Sequence, residues 1–481
     1  MPPVSSHWNT AMNLIDLIPH PVAGSLQSLR RQPRAAVARR IDNRPRIECL
    51  ESRIAPSNIF VAVAGHTLNV TGDSAGNQLT IQGDADPTLF HLSSAGGSIN
   101  GLFFPFTTPT GITSISIKLL GGDDSVSFGN TVHIDLMGSL TIDGGDGANS
   151  VTTTDLKVEK NFSITNGTNI GGTDTNALTN LSVGGALTIK NGNGDSSTTI
   201  GRTAAGISTI LGNLSITNGS GRDTNQIEDT NVGHNVTITN GHADFFMVAG
   251  LTKIYNAVNA SSRSLIGGNV SVTYLDGNTA QYDGIWDTEI LGNVTFNHGT
   301  GAFTTYFDGF KTSVPVVIRG NLTMKGTGGN DVTAGAHDMK TGLIVGKSLS
   351  ITSGSGPDAL IFNKLEVGGA TKLLLGDGGN AATIDDSTFI GTFALTTGAG
   401  TDAVNLDTTA GTSSATIFEK PVVIKLGAGS DSVQLAGFDD ANQSLIIYSS
   451  FVIHPGDGSF FPLQNPAKEF FPFGGGIVFA V

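Results

Sequence analysis

The sequence predicts an all-β repeat protein, a parallel β-helix (β-solenoid) built from coils of about 26 residues. Three observations support this prediction. A short apolar–hydroxyl–apolar motif recurs through most of the chain. Glycine accounts for 65 of the 481 residues, without the three-residue glycine period of collagen. No helical periodicity persists beyond residue 54, so the elements of the repeat are expected to be strands.

The repeat reads G-x-Φ-[S/T]-Φ-x-[N/S]-G, where Φ is an apolar residue. The two apolar residues share one face of a strand, and the Ser or Thr between them points to the other face. The Asn-Gly or Ser-Gly that follows tolerates positive φ, so the chain can turn sharply there. Weaker copies are predicted at Ser116–Leu120 and Val422–Leu426. In the clear copies the first apolar residue is Leu140, Phe162, Leu187, Leu214, Val236, Val270, Val294, Leu322 or Leu349.

Repeats of this length favour coils that stack through parallel strand pairing at about 4.8 Å. A propeller blade needs about 40–45 residues, which is more than one repeat supplies. Antiparallel β arrays remain the alternative architecture, because Asn-Gly also closes β-hairpins. In a stacked solenoid the asparagines at the turns are predicted to form an amide ladder: Asn166, Asn191, Asn218, Asn240 and Asn297.

The composition of the chain predicts four regions. Residues 1–54 form a basic leader or targeting segment that is expected to be disordered, and residues 55–115 an N-terminal β region or cap. The solenoid repeats cover residues 116–436. Residues 437–481 are rich in Phe and Pro, and they are predicted to cap the unpaired strand edges at that end of the stack.

Charge and composition exclude several functions. Residues 1–53 hold eight arginines and four acids, a net charge of +4, whereas residues 54–481 hold 18 basic and 36 acidic groups, a net charge of −18. Such an acidic body is expected to repel nucleic acid. The sequence has no stretch of 18 apolar residues that would predict a membrane-spanning helix. Its single cysteine, Cys49, cannot form an internal disulfide or a Cys-ligated zinc site.

The segment Arg44–Ser57 reads R-P-R-I-E-C-L-E-S-R-I-A-P-S. Its Leu50, Glu51, Arg53 and Pro56–Ser57 resemble the short LExLExRxxPS segment near the N-terminus of many exported or cell-surface proteins of planctomycete bacteria. This resemblance implies an extracellular or cell-surface location and carries no information on activity. A chance arginine-rich tail is the alternative.

A glycine–acid turn recurs about once per coil, for example in G-A-G-T-D-A-V at Gly398–Val404 and G-A-G-S-D-S-V at Gly427–Val433. These turns resemble the calcium-binding turns of RTX proteins, in which carbonyl and carboxylate oxygens from successive turns share the ion. The RTX unit recurs every nine residues, which is a departure from the pattern here. The alternative is an aspartate that caps a turn through backbone N–H groups. The candidate calcium ligands are Asp223, Asp358, Asp402 and Asp431, and no other cofactor is predicted.

The segment Tyr274–Trp286 is the best candidate for carbohydrate binding, because aromatic and acidic residues are concentrated in it. The alternative is that this segment is an irregular loop packed by its own aromatic side chains. The candidate carbohydrate-binding residues are Tyr274, Asp276, Tyr282, Asp283, Trp286 and Asp287.

Three histidines, His234, His242 and His298, lie in or beside repeat turns and are expected at the surface.

The sequence therefore predicts a non-catalytic protein of the bacterial exterior or cell surface, with a structural or adhesive role and with polysaccharide or other cell-surface components as partners. Two alternatives remain. One is a polysaccharide-active β-helix enzyme, a lyase or a glycoside hydrolase, although arginines beyond residue 53 number only four. The other is an RTX-like calcium-binding protein. A tight cluster of charged residues from successive coils would favour the enzyme, and a diffuse Thr/Asn surface would favour the rod.

Overall fold

The computed structural model confirms the predicted fold class: the chain is an all-β solenoid of stacked parallel strands. The part of the chain that the structure describes contains no helix, and hence none that would cross a membrane. It falls entirely within the unit formed by residues 55–481, so the predicted leader and its Arg44–Ser57 segment lie outside it. The described residues are 58–129, 132–201, 207–241, 250–255, 264–275, 281–308, 314–334, 342–408, 414–435, 445–456, 459–464, 469–470 and 477–479.

Each complete coil contributes strands to three faces, which are named here in chain order. Face 1 carries the sequence repeat, and its strands pair in parallel from coil to coil. Its strands are Ser114–Lys118, Leu140–Gly145, Phe162–Asn166, Leu187–Lys190, Leu214–Thr217, Val236–Asn240, Val270–Tyr274, Val294–Asn297, Leu322–Lys325, Leu349–Thr352, Thr371–Leu374, Phe393–Thr396, Val422–Lys425, Phe451–His454 and Ile477–Phe479.

Face 2 follows face 1 after the glycine-rich turn. In two coils a single long strand, Ser150–Val158 or Thr173–Val183, covers both face 2 and face 3. The other strands of face 2 are Ser125–Phe128, Asp195–Gly201, Asp223–Glu228, Gly250–Tyr255, Gln281–Trp286, Phe303–Asp308, Asn330–Ala334, Ala359–Asn363, Ala381–Asp385, Ala403–Leu406, Ser430–Leu435 and Ser459–Gln464.

Face 3 closes the coil with short strands. Its strands, besides the ends of the two long ones, are Ile134–Leu136, Ser208–Ile210, Thr230–Val232, Ser264–Ile266, Thr288–Ile290, Val316–Ile318, Leu343–Val345, Leu365–Val367, Thr388–Phe389, Thr416–Phe418, Leu445–Ile447 and Glu469–Phe470.

The register of face 1 confirms the sequence repeat. All nine apolar positions, from Leu140 to Leu349, pair with one another in consecutive coils. The copy at Val422 is confirmed as well, because Val422 pairs with Phe393. The copy at Ser116 was misplaced by two residues, since Ile115 and Ile117 are the inward pair. The strands at Thr371 and Phe393 were missed: in Thr371–Leu374 and Phe393–Thr396, Lys or Ala occupies the hydroxyl position.

The core is a continuous stack of inward apolar rows. The inward residues of face 1 are almost fully buried in every described coil from Leu140 to Phe451. Matching rows come from face 2, such as Ile200 and Ile227, and from face 3, such as Val183 and Ile210. Because each coil covers the apolar side of its neighbour, the stack buries what a single coil would expose.

The two ends of the described chain differ in their pairing. Antiparallel pairing joins Asn58–Ala64 to Thr67–Thr71, and Phe90–Ser94 to Gln78–Gly83 and Phe106–Thr107; Ser98–Ile99 pairs in parallel with the first of these strands. Beyond residue 436, strands continue in parallel register, as Phe451–His454 does on Val422–Lys425. The capping role predicted for residues 437–481 stays a prediction.

The corner between face 2 and face 3 is made by one residue with positive φ, a conformation that Asn and Asp tolerate better than most residues. In the short form of this corner, the residue is Asp155, Asn180, Asp229, Asp287, Lys364 or Asp386, with φ between 41° and 58°. Asp407, with φ of 57°, begins a longer connection.

Candidate functional site

The amide ladder predicted from the turns is present inside the solenoid for four of its five members. The Asn166, Asn191 and Asn218 side-chain amides each donate to the carbonyl oxygen of the next asparagine, at 2.7–2.9 Å. The fourth member, Asn240, ends the row. Asn297 was wrongly included: it lies on the outer side of face 1, and its amide is 3.5 Å from Thr273 Oγ1.

The four candidate calcium ligands are buried inside the solenoid at the start of face 2. They belong to an inward row that contains both aspartates and asparagines. In this row the backbone N–H of one residue donates to the side-chain Oδ1 of its equivalent in the next coil, as in Asp358 to Asn380, Asn380 to Asp402, and Asp402 to Asp431, at 2.9–3.1 Å. The same row includes Asn77, Asp124, Asn149 and Asp174 near the N-terminal end.

Burial raises the pKa of four aspartates in this row. It raises the pKa of Asp124 to about 7 and that of Asp223 to about 7, despite hydrogen bonds that favour the charged form. The pKa values of Asp174 and Asp431 are raised by the same cause. The second carboxyl oxygen of Asp124, Asp223 and Asp431 is buried without a hydrogen-bond partner among the described residues. These groups therefore resemble neutral turn caps.

Calcium fits this row poorly. Calcium takes six to eight oxygen ligands, whereas the candidate aspartates lie one to a coil, and Asp223 Oδ1 already accepts from Ser196 Oγ at 2.7 Å. The described residues hold no group of three or more acidic, His or Cys side chains that would coordinate a metal. The geometry favours the capping alternative.

The candidate carbohydrate-binding residues do not form one surface. Tyr274, Asp283 and Asp287 are buried in the interior, and Asp287 is one of the positive-φ corner residues. Only Tyr282 and Trp286 reach the outer side of face 2, where both are partly exposed. Asp276 lies outside the described residues.

On the inner side of the strand that carries Tyr282 and Trp286, an interior network joins Tyr274, Asp283 and His298. The Tyr274 hydroxyl donates to Asp283 Oδ1, and His298 Nε2 lies 2.7 Å from Asp283 Oδ2. The His298 ring stacks on Phe303 with ring centroids 3.4 Å apart. His298 was expected at the surface, but it is only 6% exposed. Tyr274 and His298 continue the inward row that Asn240 ends, because Asn240 pairs with Tyr274.

Three aromatic rings gather on the outer side of face 2. Tyr282 and Tyr306 come from adjacent coils, and their ring centroids are 5.0 Å apart. The six-membered ring of Trp286 lies over Gly284, since a Cβ added to Gly284 would be 1.8 Å from Trp286 Cη2. Gly284 pairs with Tyr306 across the strands. Tyr306 was missed from the sequence because only the register brings it beside residue 284.

The outer side of face 1 is a polar, mostly uncharged surface. One row of hydroxyls runs along it in register, one residue per coil. Beside it runs an exposed asparagine row, in which each Oδ1 accepts the backbone N–H of the next coil, as Asn235 Oδ1 does from Asn269 at 2.8 Å. The hydroxyl row is Ser116, Thr141, Ser163, Thr188, Ser215, Thr237, Ser271, Thr295, Thr323 and Ser350.

Three basic side chains on the described surface are paired with carboxylates. Arg222 binds Asp195, and Arg319 binds Glu289, across neighbouring coils. The largest group places Lys157 between Asp135, at 3.0 Å, and Glu159. Hydrogen bonds to Glu159 and Asp135 raise the pKa of Lys157, so it keeps its proton at neutral pH.

Comparison of the chain with protein families, curated proteins and solved structures gives no match. The fold defines the class, a β-solenoid repeat protein, and a function must be inferred from its surfaces.

Proposed function

We propose that the protein is a non-catalytic β-solenoid of the bacterial exterior or cell surface, with a structural or adhesive role. The observation that carries the proposal is the outer surface of face 1, where a hydroxyl row repeats once per coil over ten coils. An asparagine row accompanies it over the five coils from Asn213 to Asn321. Such a surface offers many weak, equivalent hydrogen bonds to a long partner. Together these hydrogen bonds produce avidity. Polysaccharide is the partner class that this hydroxyl-rich surface suits best.

The extracellular location is supported by two features of the sequence. The Arg44–Ser57 segment resembles that of exported and surface proteins, and the net charge of −18 on residues 54–481 disfavours nucleic acid as a partner.

The pairing of both described arginines and of Lys157 with carboxylates supports a non-catalytic role. A catalytic base or nucleophile needs a group whose pKa is poised near the working pH and which is free to meet the substrate. Arg222 and Arg319 are each held by a carboxylate, and Lys157 is held by two.

A polysaccharide-active enzyme is the second candidate. One observation favours it: Asp135, Lys157 and Glu159 bring three charges from neighbouring coils together. This group satisfies the sequence criterion for an enzyme, but the raised pKa of Lys157 opposes its use as a base at neutral pH.

The two candidates are separated by one experiment. The full chain is sedimented with insoluble neutral and acidic polysaccharides, and the supernatant is assayed for new reducing ends and for unsaturated uronate products. We expect co-sedimentation without product. Product formation that Lys157→Ala abolishes and Lys372→Ala retains would replace the proposal with the enzyme, and neither binding nor product would contradict the adhesive role. Lys372 is an exposed lysine on face 1, far from this group in the register.

A further inference from the structure

We propose that Tyr282, Trp286 and Tyr306 form a binding site for a neutral polysaccharide on the outer side of face 2. This inference rests on the adhesive function proposed above, and it names the site and the ligand class. It keeps two of the residues expected from the sequence and replaces the buried Tyr274, Asp283 and Asp287 by Tyr306 and Gly284.

The geometry brings the three rings to one strand position. Trp286 folds back over Gly284, and Tyr306 occupies the position paired with Gly284 in the next coil. The Tyr306 ring leans diagonally toward Tyr282, with 5.0 Å between centroids and an interplanar angle of 39°. Glycine at 284 is required, because any Cβ there would displace the indole ring. The result is a patch of aromatic side chains on the outer side of face 2.

The strand that carries the patch is fixed from below. Asp283 points inward between Tyr282 and Gly284, and it is bound by Tyr274 and His298 from the neighbouring face. Ile285 is buried between Gly284 and Trp286. A rigid strand holds the rings in place before the ligand arrives, which lowers the entropy lost on binding.

The chemistry of the patch selects a pyranose sugar. The C–H face of a pyranose ring is apolar and packs on an aromatic ring, while its hydroxyls remain free to bond with polar neighbours. Thr304, which pairs with Tyr282, is such a neighbour. The charge of −18 on residues 54–481 repels polyanions, so neutral chains are favoured over uronic acid polymers.

The test uses tryptophan fluorescence and calorimetry on the full chain. Trp8 and Trp286 are the two tryptophans, so a Trp8→Phe background reports on Trp286 alone. Cellohexaose and mannohexaose are the neutral probes, and hexagalacturonate is the acidic one. We expect a neutral probe to change Trp286 emission, and we expect Trp286→Ala to weaken binding by about tenfold or more.

Two further variants separate binding from stability. Gly284→Ala keeps all three rings but moves the indole, and it is expected to weaken binding to a similar extent. Tyr448→Ala removes a 44% exposed aromatic side chain on a different face and is expected to leave binding unchanged. Thermal denaturation checks that each variant is folded, and Trp286→Tyr is expected to restore part of the affinity.

The outcomes distinguish the two proposals. If the wild-type chain binds polysaccharide and neither Trp286→Ala nor Gly284→Ala weakens it, the aromatic site is wrong and the adhesive function stands. If the wild-type chain binds no polysaccharide, both are wrong. Tighter binding of hexagalacturonate than of either neutral probe would overturn the ligand class.

Discussion

Aspartate and asparagine occupy the same inward position in successive coils, and they form the same hydrogen bond there. The Oδ1 atoms of Asn149, Asp174, Asn380 and Asp402 all accept a backbone N–H from the preceding coil. Burial raises the pKa of Asp174, which favours its neutral form, and a neutral carboxyl closely matches a carboxamide in shape. A protonated aspartate and an asparagine are therefore equivalent at this inward position, and this equivalence holds only at low pH.

We predict that Asp223→Asn removes part of the pH dependence of stability. The folded-state pKa of Asp223 is about 7, above the ~3.9 of an exposed aspartate. The folded protein therefore keeps a proton that the unfolded chain releases between about pH 4 and pH 7, so the free energy of unfolding falls as pH rises across that window. At pH 8 the variant should be more stable by at least about 1 kcal/mol.

Chemical denaturation of both proteins between pH 4 and pH 8 checks this prediction. The exposed Asp146→Asn is the matched control, because its side chain lies at the surface of a turn. An unchanged slope of stability against pH in Asp223→Asn would contradict the assigned role.

The direction in which a side chain points was not predictable for the aspartates of the glycine–acid turns. The glycine–acid turns predict an aspartate at a sharp corner, and that is correct. The sequence alone does not say whether the side chain points outward to an ion or inward to a backbone N–H, because a one-residue shift reverses its face. The same ambiguity put Asp283 and Asp287 among the sugar-binding candidates.

At the scale of the element, the short strands of face 1 were predictable and the corners were not. Alternation of Leu, Ser and Ile in the strand at Leu349–Thr352 is a strong strand signal. The corner between faces 2 and 3 interrupts neither long strand, so Asp155 and Asn180 look like ordinary strand residues in the sequence. A signal was present: an Asp or Asn recurs three residues before the end of the face 3 strand in most short coils.

We predict that Lys364→Asn stabilises the protein. Lys364 has φ of 57° at a corner where other short coils use Asp or Asn, and a residue with a long side chain pays about 1–2 kcal/mol in this conformation. The substitution should raise the free energy of unfolding by about 0.5–1 kcal/mol. The reverse change, Asn180→Lys, should lower it by a similar amount. Equilibrium denaturation of the two variants checks both signs, and equal signs would refute the explanation.

At the scale of the whole molecule, the solenoid is a one-dimensional stack. Each coil contacts mainly its two neighbours, so stability is close to a sum of coil and interface terms. The repeat spacing predicted this architecture. The aromatic patch of Tyr282, Trp286 and Tyr306 depends on the pairing register of the face 2 strands. Because the coils differ in length, that register cannot be read from the sequence spacing.

We predict that deleting one whole coil leaves the fold intact. Leu349 and Thr371 hold equivalent positions on face 1, so removing residues 349–370 joins Ser348 to Thr371 without changing any face. The variant should fold with modestly reduced stability and should keep the polysaccharide binding proposed for the full chain. Deleting only residues 349–359 exchanges faces and should prevent cooperative folding. Circular dichroism melts compare the two, and equal damage from both deletions would argue against independent coils.

The ladders of face 1 and of the interior have a mechanical consequence. Strands lie across the solenoid axis, so hydrogen bonds between coils point along it, and tension on the axis opens them one coil at a time. Leu140 to Phe162 spans 22 residues, and Val236 to Val270 spans 34. Each released coil then lengthens the chain by a different amount, from about 75 Å to about 115 Å. Because the coils differ in length, we expect the solenoid to extend under load in steps of unequal length.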